Sequence, residues 1–157
     1  MPENSLVTEV HWQPHNSWRA VPLLHRVAAH TAQAEGFTQG RLSIAVVGAR
    51  AMATLHQRFL NSPGPTDVLT FDLGTEPDEG YIEGEIVVCT DVARRRAAQR
   101  NRSLQAARAE LALYVVHGVL HLAGYDDHGA AAFRHMHRRE DEILVELGLG
   151  PVFRSGT

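Results

Sequence analysis

Leu113-Tyr114-Val115-Val116-His117-Gly118-Val119-Leu120-His121-Leu122-Ala123-Gly124-Tyr125-Asp126-Asp127-His128 is the stretch on which the reading of this chain turns. It is an apolar run interrupted by two histidines four residues apart, and the pattern predicts a buried helix. At about 3.6 residues per turn, positions i and i+4 lie on one face, so both imidazoles can converge on a single ion. On pattern alone, two histidines at i, i+4 on an apolar helix read as core or surface residues with local hydrogen bonds; a helix-ending glycine and a further ligand type within reach turn the combination into a metal motif. Gly124 can take φ > 0, which ends the helix and turns the chain back. That turn brings Asp127 or His128 toward the same ion as a third ligand. Three protein ligands leave a fourth position open, the mark of a catalytic rather than a structural Zn²⁺, one ion per chain.

Working outward, Leu6 to Trp12 alternates as a strand, and Trp18 to Ala34 has helical spacing at Val21, Leu24, Val27, Ala28 and Thr31, closed by Gly36. Leu42 to Val47 reads as a second strand. Ala49 to Leu60 reads as a helix with Met52, Leu55 and Phe59 on one face, stopped by the turn Asn61-Ser62-Pro63-Gly64-Pro65. Val68 to Phe71 and Ile82 to Val88 are strands flanking an exposed loop from Leu73 to Gly80. Thr90 and Asp91 are placed to cap a helix running to about Arg100; Ser103 starts the metal helix, and Ala130 to Leu147 forms the last helix before Gly148. The expected fold is α/β in the α+β sense. A single-layer, four-stranded mixed sheet is packed with about five helices, and the metal site lies on a central one.

Composition sets the outer limits. At 157 residues and 44% hydrophobic, the chain suits one domain, residues 1–157, with a proper core and no membrane span. Met1 to Glu9 lack the basic and apolar regions of a secretory signal, and the lone Cys89 cannot form an internal disulfide, so a cytoplasmic setting is expected. A net charge of −3 has the wrong sign for bulk attraction to nucleic acid, so any RNA contact must be local. The one concentrated basic run is Arg94-Arg95-Arg96-Ala97-Ala98-Gln99-Arg100-Asn101-Arg102, either a solvated helix face or a face that contacts phosphate. His135 and His137, two apart on a helix, point to different faces and read as surface residues.

Three motifs carry a family resemblance. His117-Gly118-Val119-Leu120-His121-Leu122-Ala123-Gly124-Tyr125-Asp126 resembles the signature of the YbeY family, which runs H-G-x-L-H-L-x-G-Y-D-H. Pro65-Thr66-Asp67-Val68-Leu69-Thr70-Phe71 resembles the family's P-T-D-V-L-S-F, and Gly84-Glu85-Ile86-Val87-Val88-Cys89 its G-D-I-V-I-C. Order and spacing agree. The resemblance implies a zinc-dependent, single-strand-specific endoribonuclease (a hydrolase of phosphodiester bonds) in maturation of the 16S ribosomal RNA 3′ end and in ribosome quality control. Its implied partners are ribosomal RNA and the small ribosomal subunit, with a ribosomal protein or assembly GTPase as recruiter.

Two departures bear on the site. The family's third His falls, ungapped, on Asp127, with a His one place later at His128; Met136 and Glu140 keep the family register downstream, which favours Asp127 as ligand. The family's Arg falls on Leu60 and its Asn on His56, leaving Arg58 as a substitute cation on a different helical face. Asp126 reads as a proton handler, as a residue orienting a ligand His, or as a turn residue. Asp67, at a strand start, reads as an anchoring residue rather than a catalytic one. The zinc peptidase motif H-E-x-x-H has its general base where this chain has Gly118, which argues against peptide hydrolysis despite a likeness to the longer metzincin pattern. The alternatives that remain are a non-catalytic ribosome-assembly factor with a structural metal, and a zinc hydrolase of another ester or amide.

Overall fold

A computed structural model describes residues 5–16, 18–62, 64 and 66–152. In chain order it runs β1 (Leu6–Trp12), α1 (Val21–Ala34), β2 (Gln39–Val47), α2 (Ala49–Leu60), β3 (Val68–Asp72), β4 (Tyr81–Cys89), α3 (Thr90–Ala98), α4 (Leu104–Leu122) and α5 (Ala130–Glu146). The sheet order is β1-β2-β4-β3; β1, β2 and β4 are parallel, and β3 pairs antiparallel with β4. The expected mixed four-stranded sheet with five α-helices is therefore the observed α+β architecture. No helix among the described residues is long and apolar enough to cross a membrane.

Side chains alternate along the central strands. Leu42, Ile44 and Val46 of β2 and Ile82, Ile86 and Val88 of β4 are buried, while Arg41, Glu83 and Glu85 between them face the other side. Ile86 beneath Gly118 puts α4 on the first face, whereas Glu85 and Val87 on the opposite face share a cleft with Leu55, Arg58 and Phe59 of α2, so that face is partly covered. α4 touches α1, α3, α5, β3 and β4. Its buried residues fall on nearly every side, from Ala107 and Leu111 to Val119, Leu120 and Leu122, as an apolar helix enclosed by neighbours requires. Its ends are defined by local chemistry. Ser103 accepts a hydrogen bond from the Ala106 N–H at 3.0 Å as N-cap. Gly124, at φ +104, closes the C-terminus, with Tyr125 N–H donating to Leu120 O and Gly124 N–H to His121 O.

Several boundaries differ from the sequence reading. α1 begins at Val21 rather than Trp18, because Pro22 suits the first helical turn; Trp18 is buried ahead of the helix, edge-on to Trp12. β2 begins at Gln39, three residues early, where backbone pairing with Tyr81 and Ile82 extends the strand through polar positions that hydropathy does not mark. The exposed Leu73 to Gly80 connection contains a 3₁₀ turn, Pro77–Glu79. Thr90 and Asp91 do not cap α3, which ends at Ala98: the Thr90 hydroxyl donates to Val47 O, and the Asp91 carboxylate accepts the Ala49 N–H at 2.6 Å, capping α2 instead. Pro63 and Pro65 of the predicted turn lie outside the described residues, as do residues 1–4 of the leader reading.

Candidate metal centre

α4 presents His117 and His121 one turn apart, and the two Nε2 atoms stand 3.0 Å from each other. Asp127, delivered by the turn at Gly124, has Oδ2 3.9 Å from His121 Nε2, and the three residues offer ligand atoms that all lie within 4.8 Å of one another. Two nitrogens on one tetrahedral zinc ion, at 2.0–2.1 Å each, stand about 3.3 Å apart, so the observed pair is within a few tenths of an ångström of that spacing. Two imidazoles and one carboxylate are also the donor types of open zinc sites. The group fits a divalent metal on geometry and on donor chemistry.

What holds His117 in place was not recognised in the sequence. Its Nδ1 donates to Glu140 Oε2 at 2.6 Å, which leaves Nε2 as the lone-pair nitrogen facing His121. The other Glu140 oxygen takes His137 Nδ1, also at 2.6 Å. Glu140 is fully buried. A buried carboxylate is retained only with strong donors on its oxygens, and the two imidazoles supply them. His137 is therefore no surface residue; its side chain is 15% exposed and packs edge-on against Phe133. The signal was present in α5, where Met136, Glu140, Ile143 and Leu144 form the buried stripe and Glu140 is an acid at an apolar position.

Electrostatics separate the two histidines. Burial pushes the His117 pKa down, but the hydrogen bond and charge of Glu140 outweigh it and hold the imidazole above its ordinary value. For His121, burial and then the neighbouring His117 charge act together, and its pKa is lowered.

The other predicted residues lie around this pair at different distances from the chemistry. His128 lines the same open cleft, of about 530 Å³, as His117, His121, Leu60, Phe71 and Asp72. It is 91% exposed, and its Nδ1 is turned to Asp126 Oδ1 at 2.8 Å, so it stands outside the His117–His121–Asp127 group. Asp126 also accepts the His128 backbone N–H at 2.9 Å, and these bonds hold its pKa low. Arg58 lines a separate cleft with Phe59, Phe71, Leu73 and Glu85, whereas Leu60, at the position of the family's Arg, is on the lip of the metal cleft. Asp67 is an anchor: Oδ1 accepts the Val68 N–H, and Oδ2 pairs with Arg96 at 2.6 Å.

Gly118 has a steric role. A Cβ there would lie 2.8 Å from Ile86 Cγ2, so α4 rests directly on β4 at that residue and the position cannot carry the glutamate of a zinc peptidase. Gly84, under Leu122, makes the same close approach from the strand side.

The family model described as endoribonuclease YbeY matches residues 11–148. The chain is 40% identical to the endoribonuclease YbeY of Anaeromyxobacter sp. (strain Fw109-5) over 83% of its own length and 67% of that protein's. It is 40% identical to the one from Gluconobacter oxydans (strain 621H) over 88% and 83%. The solution structure of TM1509 from Thermotoga maritima superposes with a TM-score of 0.61 at 27% identity, covering 89% of this chain and 91% of that one. With three motifs in register, a matching fold and a family match over most of its length, the chain belongs to the endoribonuclease YbeY family.

Proposed function

We propose that residues 1–157 form a zinc-dependent endoribonuclease that cuts single-stranded RNA in the cytoplasm, acting on ribosomal RNA of the small subunit at its 3′ end and in ribosome quality control. One observation carries the reading: in a chain of an endoribonuclease family, two imidazole Nε2 atoms 3.0 Å apart and the Asp127 carboxylate converge on the wall of an open cleft. The proposed ligands are His117, His121 and Asp127. What zinc supplies when bound there is Lewis acidity toward a phosphate oxygen and a nucleophile available at neutral pH.

The chain's own residues do the rest. Glu140 fixes the His117 tautomer and ring plane, and His137 holds the Glu140 side chain in place by donating to its second oxygen. At the rim, Asp126 orients His128 through Nδ1, which leaves His128 Nε2 to hold or pass a proton at the attacking or leaving oxygen. Among the described residues no arginine lines the metal cleft. Arg58, on the adjoining cleft that shares Phe71, is assigned a flanking phosphate rather than the scissile one. Phe59 is 52% exposed and edge-on to Phe71 at 5.2 Å, a surface on which an unpaired base can stack; this supports the single-strand preference.

Leu60 favours a second reading. A lip residue that is apolar and 58% exposed, where the family's guanidinium is expected, suits a ribosome-assembly factor in which the metal stiffens a binding surface. Metal content by mass spectrometry, measured with cleavage of a structured ribosomal RNA fragment, separates the two. One zinc per chain together with cleavage that is lost in His121→Ala supports the enzyme. Bound metal without cleavage sinks it in favour of the assembly factor, and ribosome association that survives loss of cleavage argues that recruitment, by a ribosomal protein or GTPase, is separate from the chemistry.

A further inference from the structure

Five of the chain's 15 basic residues fall between positions 94 and 102, and the chain has no lysine, so all five are guanidinium groups that stay charged at any physiological pH. Folding divides them. Arg96 pairs with Asp67, and Arg100 with the buried Glu110. Arg94, Arg95 and Arg102 make no ion pair among the described residues. These three line one cleft, of about 310 Å³, with Ala98, Asn101 and Ser103, and among the described residues no carboxylate lines it. Three exposed guanidinium groups gathered on the wall of one cleft make a surface suited to an anion that the protein itself does not provide. The cleft also abuts the N-terminus of α4, where the helix dipole adds to the positive potential.

We propose that this cleft binds phosphates of a single-stranded RNA whose scissile bond lies at the metal centre. The proposal rests on the RNA-cleaving reading above. Two features connect the places. α4 runs from Ser103 at the cleft to His117, about 21 Å along its axis. Arg96, of the helix that carries Arg94 and Arg95, holds Asp67, the residue leading into β3, whose residues Val68–Asp72 line the metal cleft. A protein with a charge of −3 cannot gather RNA by its overall field, so a local phosphate grip away from the reacting bond supplies binding that the metal cleft, with no arginine among the described residues of its wall, lacks.

The test is the salt dependence of RNA binding by the zinc-loaded full chain, read by fluorescence anisotropy before cleavage. Wild type is compared with the triple variant Arg94→Gln, Arg95→Gln, Arg102→Gln and with a control triple, Arg26→Gln, Arg50→Gln, Arg138→Gln, that removes the same charge elsewhere. For a single strand about 20 nucleotides long, loss of three phosphate contacts should flatten the log K against log salt slope by about 2. The wild-type advantage should then shrink about 20-fold between roughly 50 and 200 mM salt. Cleavage of a dinucleotide, too short to span from the metal to the cleft, should be the same in wild type and cleft variant. An unchanged slope in the cleft variant overturns the phosphate cleft and leaves the nuclease reading standing. Equal flattening in the control triple overturns it too, because net charge would then account for the effect. Wild-type protein with no RNA binding at any salt overturns both.

Discussion

The two sides of the metal centre are built differently. On the inner side, His117 is clamped by a fully buried carboxylate that also grips His137, so α4 and α5 are joined through a hydrogen-bonded His–Glu–His unit. On the outer side, Asp126, Asp127 and His128 lie in a short connection in which Asp126 and His128 bond to each other, Asp127 reaches His121 at 3.9 Å, and His128 is almost fully exposed. Preorganisation belongs to the inner side, where ordering is already part of folding; the outer side is the one that can adjust to an ion or a substrate. Metal affinity should therefore rest on the two histidines held from within together with Asp127, and turnover on His128 at the rim.

The strongest attempt to break this contrast is at the ligands. His121→Ala should reduce bound zinc from about one ion per chain to near zero and abolish RNA cleavage, with Asp127→Ala following it, whereas His128→Ala should keep its metal. Metal analysis of the three purified variants reads this directly, and loss of zinc in His128→Ala with retention in Asp127→Ala would reverse the ligand assignment. Next in size is the kinetic effect at the rim. With metal retained, His128→Ala should lower kcat by about 10²–10⁴-fold, the usual worth of a proton-transfer group, and single-turnover cleavage measures it.

Glu140→Gln sharpens the contrast from the inner side. It keeps the shape of the side chain but removes its charge, and zinc affinity in competition with a chelator should fall about 10–100-fold. Its pH signature has a definite sign. Because the His117 pKa is raised in the folded state, the stability it contributes is complete below the unfolded value of about 6.5 and is lost as pH rises through the folded value. The urea midpoints of metal-free wild type and Glu140→Gln should therefore differ most below about pH 6.5 and draw together above it. A gap that widens with rising pH would contradict the assigned cause. The smallest effect is expected at Gly118. Gly118→Ala pushes a methyl group against Ile86 and should cost about 1–3 kcal/mol in denaturant unfolding while leaving zinc stoichiometry at one.

Much of the site was legible because it is local. An i, i+4 histidine pair and a helix-ending glycine are statements about one helix and its turn, and their geometry follows from helical pitch. The parts that were not legible are contacts across the fold. Glu140 lies 23 positions from His117 and was noted only for its register; Asp91 resembles a cap for its own helix but caps α2; His137 has the spacing of a surface residue but the environment of a buried one. Gly118 showed in sequence as a missing base, and only the approach of Ile86 gives the reason.

The amino-acid order by itself determined the element types, the i, i+4 histidine pair and the turn that returns Asp127 or His128, since each depends on backbone periodicity and on residues a few positions apart. Tertiary structure alone decided which arginines of the basic run are neutralised and which are left to face outward, and it turned His128 to Asp126. It also put the Glu140 carboxylate behind His117. The physical reason is that charges and hydrogen-bonding groups act over a few ångströms of space, and packing brings together groups that the chain keeps far apart.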